Sequence, residues 1–383
     1  MAARVHGKDP GIANWKMLRE GSMRLLTIGA SLAASAMAAI AMPASAQQAA
    51  LPTFSELKPW DPSYAAPRTA WGAPNLQGVW STASLTTLTR NAQNGTQGMG
   101  LVIPQEKIDA ITENSYYNVR LRNDNERTPE TAGAGDGKGG GDVKGYNNFW
   151  IDPGSEYAKV NGEYRSSWIV SPANGQIPFN RAGNAAAGSR LTNARASTNT
   201  GPEIRTLGDR CLVSFANQGG PPITNAMYNN HVQIVQTPDH VMLQIEMNHD
   251  ARIVRLKTDG ETEKELPASI QPWFGDSIGW WDGDTLVVET RNLHRLQARG
   301  RIPLSQEGKV IERFRRISDV EIDYQFEVID PVSYTETWKG QMPMRYSREP
   351  IYEYACHEGN HALPGILVGM ALELDTALEA DGE

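Results

Sequence analysis

The chain has little of what usually announces a chemistry. It holds two cysteines in 383 residues, so there is no Cys-x-x-Cys redox motif and no thiolate cage for a metal. It has no Gly-x-Ser-x-Gly elbow and no strand, glycine turn and helix fingerprint for a dinucleotide. Serine-hydrolase and nicotinamide chemistries therefore lose their usual signatures. Gly137-Lys138 precedes Gly139 rather than Ser or Thr, which excludes a phosphate-binding P-loop. Positive charge is short as well: 36 Lys and Arg stand against 44 Asp and Glu, a formal charge of −8. An acidic chain without a basic stripe does not suit nucleic acid or anionic membrane surfaces. No repeat of propeller length appears.

Long hydrophobic runs are nearly absent too, and the one exception lies at the start. Met23-Arg24 leads into the weakly apolar Leu25–Met42, closed by Pro43-Ala44-Ser45-Ala46. A basic start, an apolar stretch and an Ala-x-Ala site define a secretory signal, cut after Ala46, rather than a membrane span. Residues 1–22 read as an upstream extension. Removing 1–46 leaves 31 basic and 42 acidic residues, a charge of −11. The expected location is periplasmic or secreted, with no integral membrane segment after cleavage. In such a compartment Cys211 and Cys356 are expected to form a disulfide. The chain-entropy model values closure of so long a loop at about 4–5 kcal/mol.

The clearest local signal is Trp273–Arg291. Asp282-Gly283 separates the strand-like runs Ser277–Trp281 and Asp284–Glu289. An Asp-Gly loop supplies positive φ for a type I′ turn, so the stretch reads as a β-hairpin. That register sets Trp281 opposite Asp284, Trp280 opposite Thr285, Ile278 opposite Val287 and Asp276 opposite Glu289. Before it, residues 47–209 read as a loop-rich part. This part has one strand from Gly78, a helix over Pro104–Asn123, a short strand at Ser167–Ser171 and an irregular loop over Asn180–Asp209. From 210 to 363 the chain is β-rich, with strands at Arg210–Phe215, His231–Gln236, Val241–Met247, Arg252–Leu256, Val310–Ile317, Val320–Val328 and Tyr334–Lys339. Glu321–Val328 alternates strictly between polar and apolar, the mark of a half-buried strand. A C-terminal helix, Pro364–Leu378, and a tail complete residues 364–383. About ten hairpin-linked strands need closure or a second layer to protect their edges. The expected fold is a mainly β, antiparallel up-and-down barrel, with a β-sandwich as the alternative.

Candidate chemistry gathers in three places. His357-Glu358-Gly359-Asn360-His361 matches H-E-x-x-H, which on a helix sets two imidazoles on one face for zinc. Its third ligand would be His231, His249 or Glu289. No cofactor is otherwise expected. His249-Asp250-x-Arg252, beside Glu246, offers a carboxylate to orient an imidazole and an arginine to hold an anion. Asp276 and Glu289, if opposed, would need a cation, an arginine or a shared proton. Trp273, Phe274, Trp280, Trp281, Trp338, Tyr352 and Tyr354 suit a pocket for a hydrophobic or aromatic small molecule.

Two resemblances follow from these residues. Gly78-Val79-Trp80 resembles the lipocalin (calycin) signature, whose Trp plugs one end of a barrel. Leu76-Gln77-Gly78-Val79-Trp80, Tyr228-Asn229-Asn230, Gly275-Asp276-Ser277, the run from Trp281 to Thr290 and the run from Tyr352 to Asn360 resemble a family of exported bacterial proteins over about residues 60–370. That resemblance implies export and assigns no catalytic residue. At the place of His361 that family more often has Tyr, which weighs against zinc. The expected function is acid/base chemistry on a hydrophobic or aromatic small molecule, of lyase, isomerase or hydratase type. His249, Asp250, Asp276, Glu289, His357 and Glu358 would move protons; Asn230, Glu246, Arg252, Trp280, Trp281, Tyr354 and Asn360 would bind. The alternatives are a non-catalytic carrier and a zinc hydrolase using His357, Glu358 and His361.

Overall fold

The computed structural model describes residues 50–119, 122, 152–196, 201–214, 218–257, 265–297 and 301–381. The expected signal peptide and the glycine-rich 133–145 stretch lie outside them. Twelve strands are described: β1 (Gly78–Ser81), β2 (Lys159–Val160), β3 (Glu163–Tyr164), β4 (Ile169–Ser171), β5 (His231–Gln236) and β6 (His240–Ile245), then β7 (Ala251–Leu256), β8 (Asp276–Asp282), β9 (Thr285–Arg291), β10 (Lys309–Arg316), β11 (Glu321–Ile329) and β12 (Trp338–Ser347). Nine of these close a ring, β1-β5-β6-β7-β8-β9-β10-β11-β12, because β1 pairs with both β5 and β12. The long β12 uses its far end for β1 and its near end for β4. This is the expected barrel, with one departure from pure up-and-down pairing. β7 and β8 run parallel, Val254 beside Ser277 and Leu256 beside Gly279. A parallel step needs a long return, and residues 257–275 supply it.

Alternation along the strands fills the barrel. Ile322, Tyr324, Phe326 and Val328 of β11 point inward with at most 1% exposure, joined by Trp80, Leu286, Phe314, Trp338 and Met344. A Cβ at Gly340 would collide with the Phe326 ring, so glycine there lets the ring lie against β12. Trp80 is fully buried, donates from Nε1 to the Leu76 carbonyl at 2.9 Å and meets Tyr346 edge-on. Among the described residues, side chains fill the interior.

One ion pair lies in this interior. Arg252 of β7 donates twice to Glu312 of β10, Nη1 to Oε2 at 2.6 Å and Nη2 to Oε1 at 2.9 Å. The Tyr324 hydroxyl donates to Glu312 at 2.7 Å and accepts from the Ile223 N–H at 2.8 Å. Arg252 and Glu312 are 2% and 0% exposed. Burial alone would lower the Arg252 pKa, but the Glu312 carboxylate beside it raises it. Arg252 is therefore a strut of the core, not an anion holder.

Other differences have local causes. The β8–β9 loop is Gly283-Asp284, since Asp282 faces Thr285. Gly283 alone has positive φ, +59°, as a type II′ turn requires at its first central position. The register is thus two residues from the expected one. Each side chain keeps its face and changes its partner: Trp281 meets Leu286, Ile278 meets Glu289, and Asp276 meets Arg291. Residues 181–196, expected as loop, form the helix Arg181–Ala196. Alanine favours helix, and the Asn180 side chain caps the Gly183 N–H at 2.9 Å. The expected helix over Pro104–Asn123 is interrupted rather than continuous: Ile108–Glu113 ends at Asn114, and helix resumes over 116–119. Residues 210–214 are turn rather than strand, with Cys211 at φ +53°. The last strand starts at Trp338, because residues 330–335 turn back on the Asp330 carbonyl.

Removing one partner of a buried ion pair strands the other charge. Arg252→Met or Glu312→Leu alone is expected to cost about 3–5 kcal/mol in urea unfolding, and the double variant to recover most of that. Simple addition of the two losses would contradict the coupling.

Candidate functional site

A cleft of about 1070 Å³ opens outside the barrel wall beside β5. Met227, Tyr228, His231, Glu246, Tyr354 and Cys356 line it. One wall is the C-terminal segment, fastened by the Cys211–Cys356 disulfide across 145 residues. A second fastening is polar. The His249 Nε2 donates to the Tyr352 carbonyl at 2.9 Å, and the Tyr352 N–H lies near enough to Glu246 to lower its pKa. Asn360 adds a third, donating from Nδ2 to the Asp209 carbonyl at 2.7 Å.

At the floor sits a histidine–carboxylate pair. His231 opens β5 on its outward face, and the next residue, Val232, is buried in the barrel. Glu246 follows β6, just before a tight turn in which Asn248 and His249 take left-handed φ of 62° and 50°. Glu246 Oε2 accepts from the His231 backbone N–H at 3.2 Å and from its Nδ1 at 2.8 Å. Burial raises the Glu246 pKa, but His231 and the Tyr352 N–H together hold it below the usual carboxylate range. A carboxylate only accepts, so Nδ1 carries a proton, and in the tautomer this fixes the ring's lone pair lies at Nε2. Nε2 has no hydrogen-bond partner among the described residues. Burial, and then the Tyr354 phenol, push Tyr228 up to about 12. Tyr354 is raised by burial and by Asp250. Both phenols thus stay neutral donors at ordinary pH.

The pair belongs to a longer row. Cross-strand register aligns Glu321 with Arg345, Arg345 with Ser81, and Ser81 with His231. Glu246 bonds to His231 on the other side. Directly paired residues share a face, so Glu321, Arg345, Ser81, His231 and Glu246 form one polar line outside the wall, across β11, β12, β1, β5 and the end of β6. Residues 51–57 cover part of this line.

The residues expected to act together are dispersed. Asp250 is buried, accepting from the Ser214 N–H at 2.7 Å and from Asn248 Nδ2 at 2.9 Å; burial raises its pKa. It braces the loop that carries Cys211. Asn230 spends its amide on the Ala226 N–H and the Ala226 and Asp152 carbonyls, which shape the cleft wall. Asp276 and Glu289 lie apart from these, with Trp280, at a separate cavity of about 160 Å³. Asp276 bonds Arg255 at 2.7 Å and the Leu266 N–H at 2.6 Å. Glu289 bonds Arg291 at 2.6 Å and Lys309 at 2.9 Å. Burial raises the Glu289 pKa, and the two cations overcome it and lower it. Trp280 stacks under Lys257, and Trp281 packs against the barrel core. His357, Glu358 and His361 are exposed. The helix Cys356–Gly359 ends at Asn360 and a new helix starts at Ala362. His357 and His361 therefore do not share one helical face. No group of three or more His, Cys, Asp or Glu is placed to hold a metal among the described residues.

Sequence reasoning weighed His231 only as a third zinc ligand and missed Ser81, Arg345 and Glu321. Their common signal is cross-strand pairing between distant segments, which local patterns do not carry. No known family model matches the chain, and no curated protein matches it in sequence.

Glu321 gives the row a pH dependence. Burial raises its pKa to about 7, with Arg345 lowering and Asp323 raising it. An acid that binds its proton more tightly when folded loses stability as pH rises from about 4.5 through about 7. Glu321→Gln is expected to remove a loss on the order of 3 kcal/mol between pH 5 and pH 8 in urea unfolding. Parallel pH curves for wild type and variant would rule this out.

Proposed function

We propose that this is an exported barrel protein that binds a hydrophobic, ring-bearing small molecule in the outer cleft and moves a proton on it. The supporting observation is the His231–Glu246 pair, its Nε2 unpartnered, on the floor of a cleft of about 1070 Å³. In this reading His231 Nε2 takes a proton from an acidic C–H or O–H of the substrate. Glu246 stabilises the imidazolium that results. The neutral phenols of Tyr228 and Tyr354 donate hydrogen bonds to charge that develops on a substrate oxygen. Proton removal followed by loss, addition or return at a neighbouring carbon is lyase, hydratase or isomerase chemistry. In this reading His249, Asp250, Asn230 and Asn360 shape the cleft, Tyr354 contacts substrate as the sequence suggested, and Glu246, expected to bind substrate, supports His231 instead. The disulfide supports an oxidising compartment, in keeping with a periplasmic or secreted location.

The test starts from a panel of phenols, aromatic ketones and hydroxy acids, screened for binding by saturation-transfer NMR and then for turnover. For any compound turned over, His231→Asn is expected to cut kcat by about 100-fold or more and to change KM little. Glu246→Gln is expected to cut it less. Turnover that survives His231→Asn would contradict the assignment. Equal binding by both proteins without turnover by either would make this a carrier.

A further inference from the structure

The polar row contains a cation that the acid/base reading does not use. Arg345 follows the fully buried Met344 on β12 and faces a second cavity of about 420 Å³. Ser81 and His231 line the same cavity, so His231 stands between it and the cleft. The guanidinium lies over the Phe54 ring, 4.2 Å from its centre, and Nη1 donates to the Pro52 carbonyl at 3.3 Å. Nε is buried without a hydrogen-bond partner. No carboxylate of a described residue lies within salt-bridge distance of Arg345. Glu321 is its direct neighbour on β11, but burial raises its pKa to about 7, so it is about half protonated at neutral pH. Glu156 and Asp152 act on it only at longer range. Burial accordingly lowers the Arg345 pKa.

A part-buried guanidinium with its Nε fully buried and no ion-pair partner among the described residues lies at the edge of this cavity, whereas charges withdrawn from water are as a rule paired. Its fork geometry matches a carboxylate. We propose that Arg345, with Ser81, forms an anion subsite that holds the carboxylate of an aromatic acid while the rest of the molecule reaches toward His231. Neighbouring strands are about 4.8 Å apart, so Arg345 and His231, two strands away on one face, stand about 10 Å apart. A benzoate-sized acid spans that interval. Ser81 lies between them and donates its hydroxyl to the second carboxylate oxygen. This deepens the proposed function by naming its substrate class, and it rests on that reading only for which atom reacts.

The test is equilibrium binding by calorimetry, which turnover does not affect. Benzoate, benzyl phosphate and the neutral isostere benzamide are titrated into the full chain at pH 6, below the Glu321 pKa. Benzoate is expected to bind at least about tenfold more tightly than benzamide, the value of a charge-assisted pair. Arg345→Gln is expected to erase that preference. Because Arg345 is part buried and its loss can unfold the protein, Ser81→Asp gives a second arm. It places a fixed carboxylate beside Arg345 and is expected to exclude benzoate while the chain stays folded by circular dichroism. Glu289→Gln, at the separate small cavity, is the control and should leave benzoate affinity unchanged. Tighter binding of benzyl phosphate than of benzoate would overturn the carboxylate assignment. Benzoate affinity in Ser81→Asp or Arg345→Gln equal to wild type, or no preference of wild type for benzoate over benzamide, would overturn the subsite.

Discussion

The Arg252–Glu312 pair sets the terms for everything else in this barrel. Two full charges inside a small ring of strands persist where good geometry and added hydrogen bonds offset their desolvation, and Arg252 Nε is left without a partner among the described residues. Here the fork of Arg252 takes both carboxylate oxygens, and Tyr324 ties the carboxylate to the Ile223 peptide. The pair joins β7 to β10 across the interior, while Tyr324 brings in β11. Around it the aromatic and aliphatic side chains close the space. Side chains of the described residues fill the barrel interior in this way, and the cleft beside β5 lies outside the wall.

The outside becomes a site because two segments are laid over it. The N-terminal stretch places Phe54 against Arg345 and the Pro52 carbonyl on its guanidinium. The C-terminal segment is held over β5 by the disulfide, by the clamp on the Tyr352 peptide and by Asn360. Under these covers, outward side chains that would be solvated on a bare barrel become partly desolvated. That change explains why Glu321 is pushed up to about 7 and Tyr228 to about 12. Fold and site are thus linked by a single device: strands that pair edge to edge also line up their outward residues, and the covering segments make that line chemically distinct.

Much of the architecture was legible in the sequence, and the limits are physical. Period-two alternation in Glu321–Val328 and the Asp282-Gly283 punctuation marked the meander, and an even pair of cysteines marked the disulfide. The hairpin turn lay one residue further on than expected, so each strand residue kept its face and changed its partner by two. Parity survives such a slip, but pairing does not, which is why Asp276 meets Arg291 instead of Glu289. The parallel β7–β8 step and the Arg181–Ala196 helix depend on tertiary packing and a cap that period alone did not distinguish. The site was the least visible part. Ser81, His231 and Arg345 come from segments far apart in sequence, and only closure of the ring by β1 sets them side by side. His249 and Asp250, which look catalytic in a row of letters, turn out to hold the covers in place.

The account stands on His231 offering an open Nε2 to the cleft while Glu246 keeps the proton on Nδ1. Long-range proton–nitrogen NMR of histidine-labelled protein near pH 7.5 reads that arrangement directly, with the His231→Asn spectrum assigning the signal. The account predicts a protonated, hydrogen-bonded Nδ1 and an unprotonated Nε2 whose resonance moves when an aromatic acid binds. A ring protonated at Nε2, or one whose signals ignore every ligand that binds the protein, would contradict it.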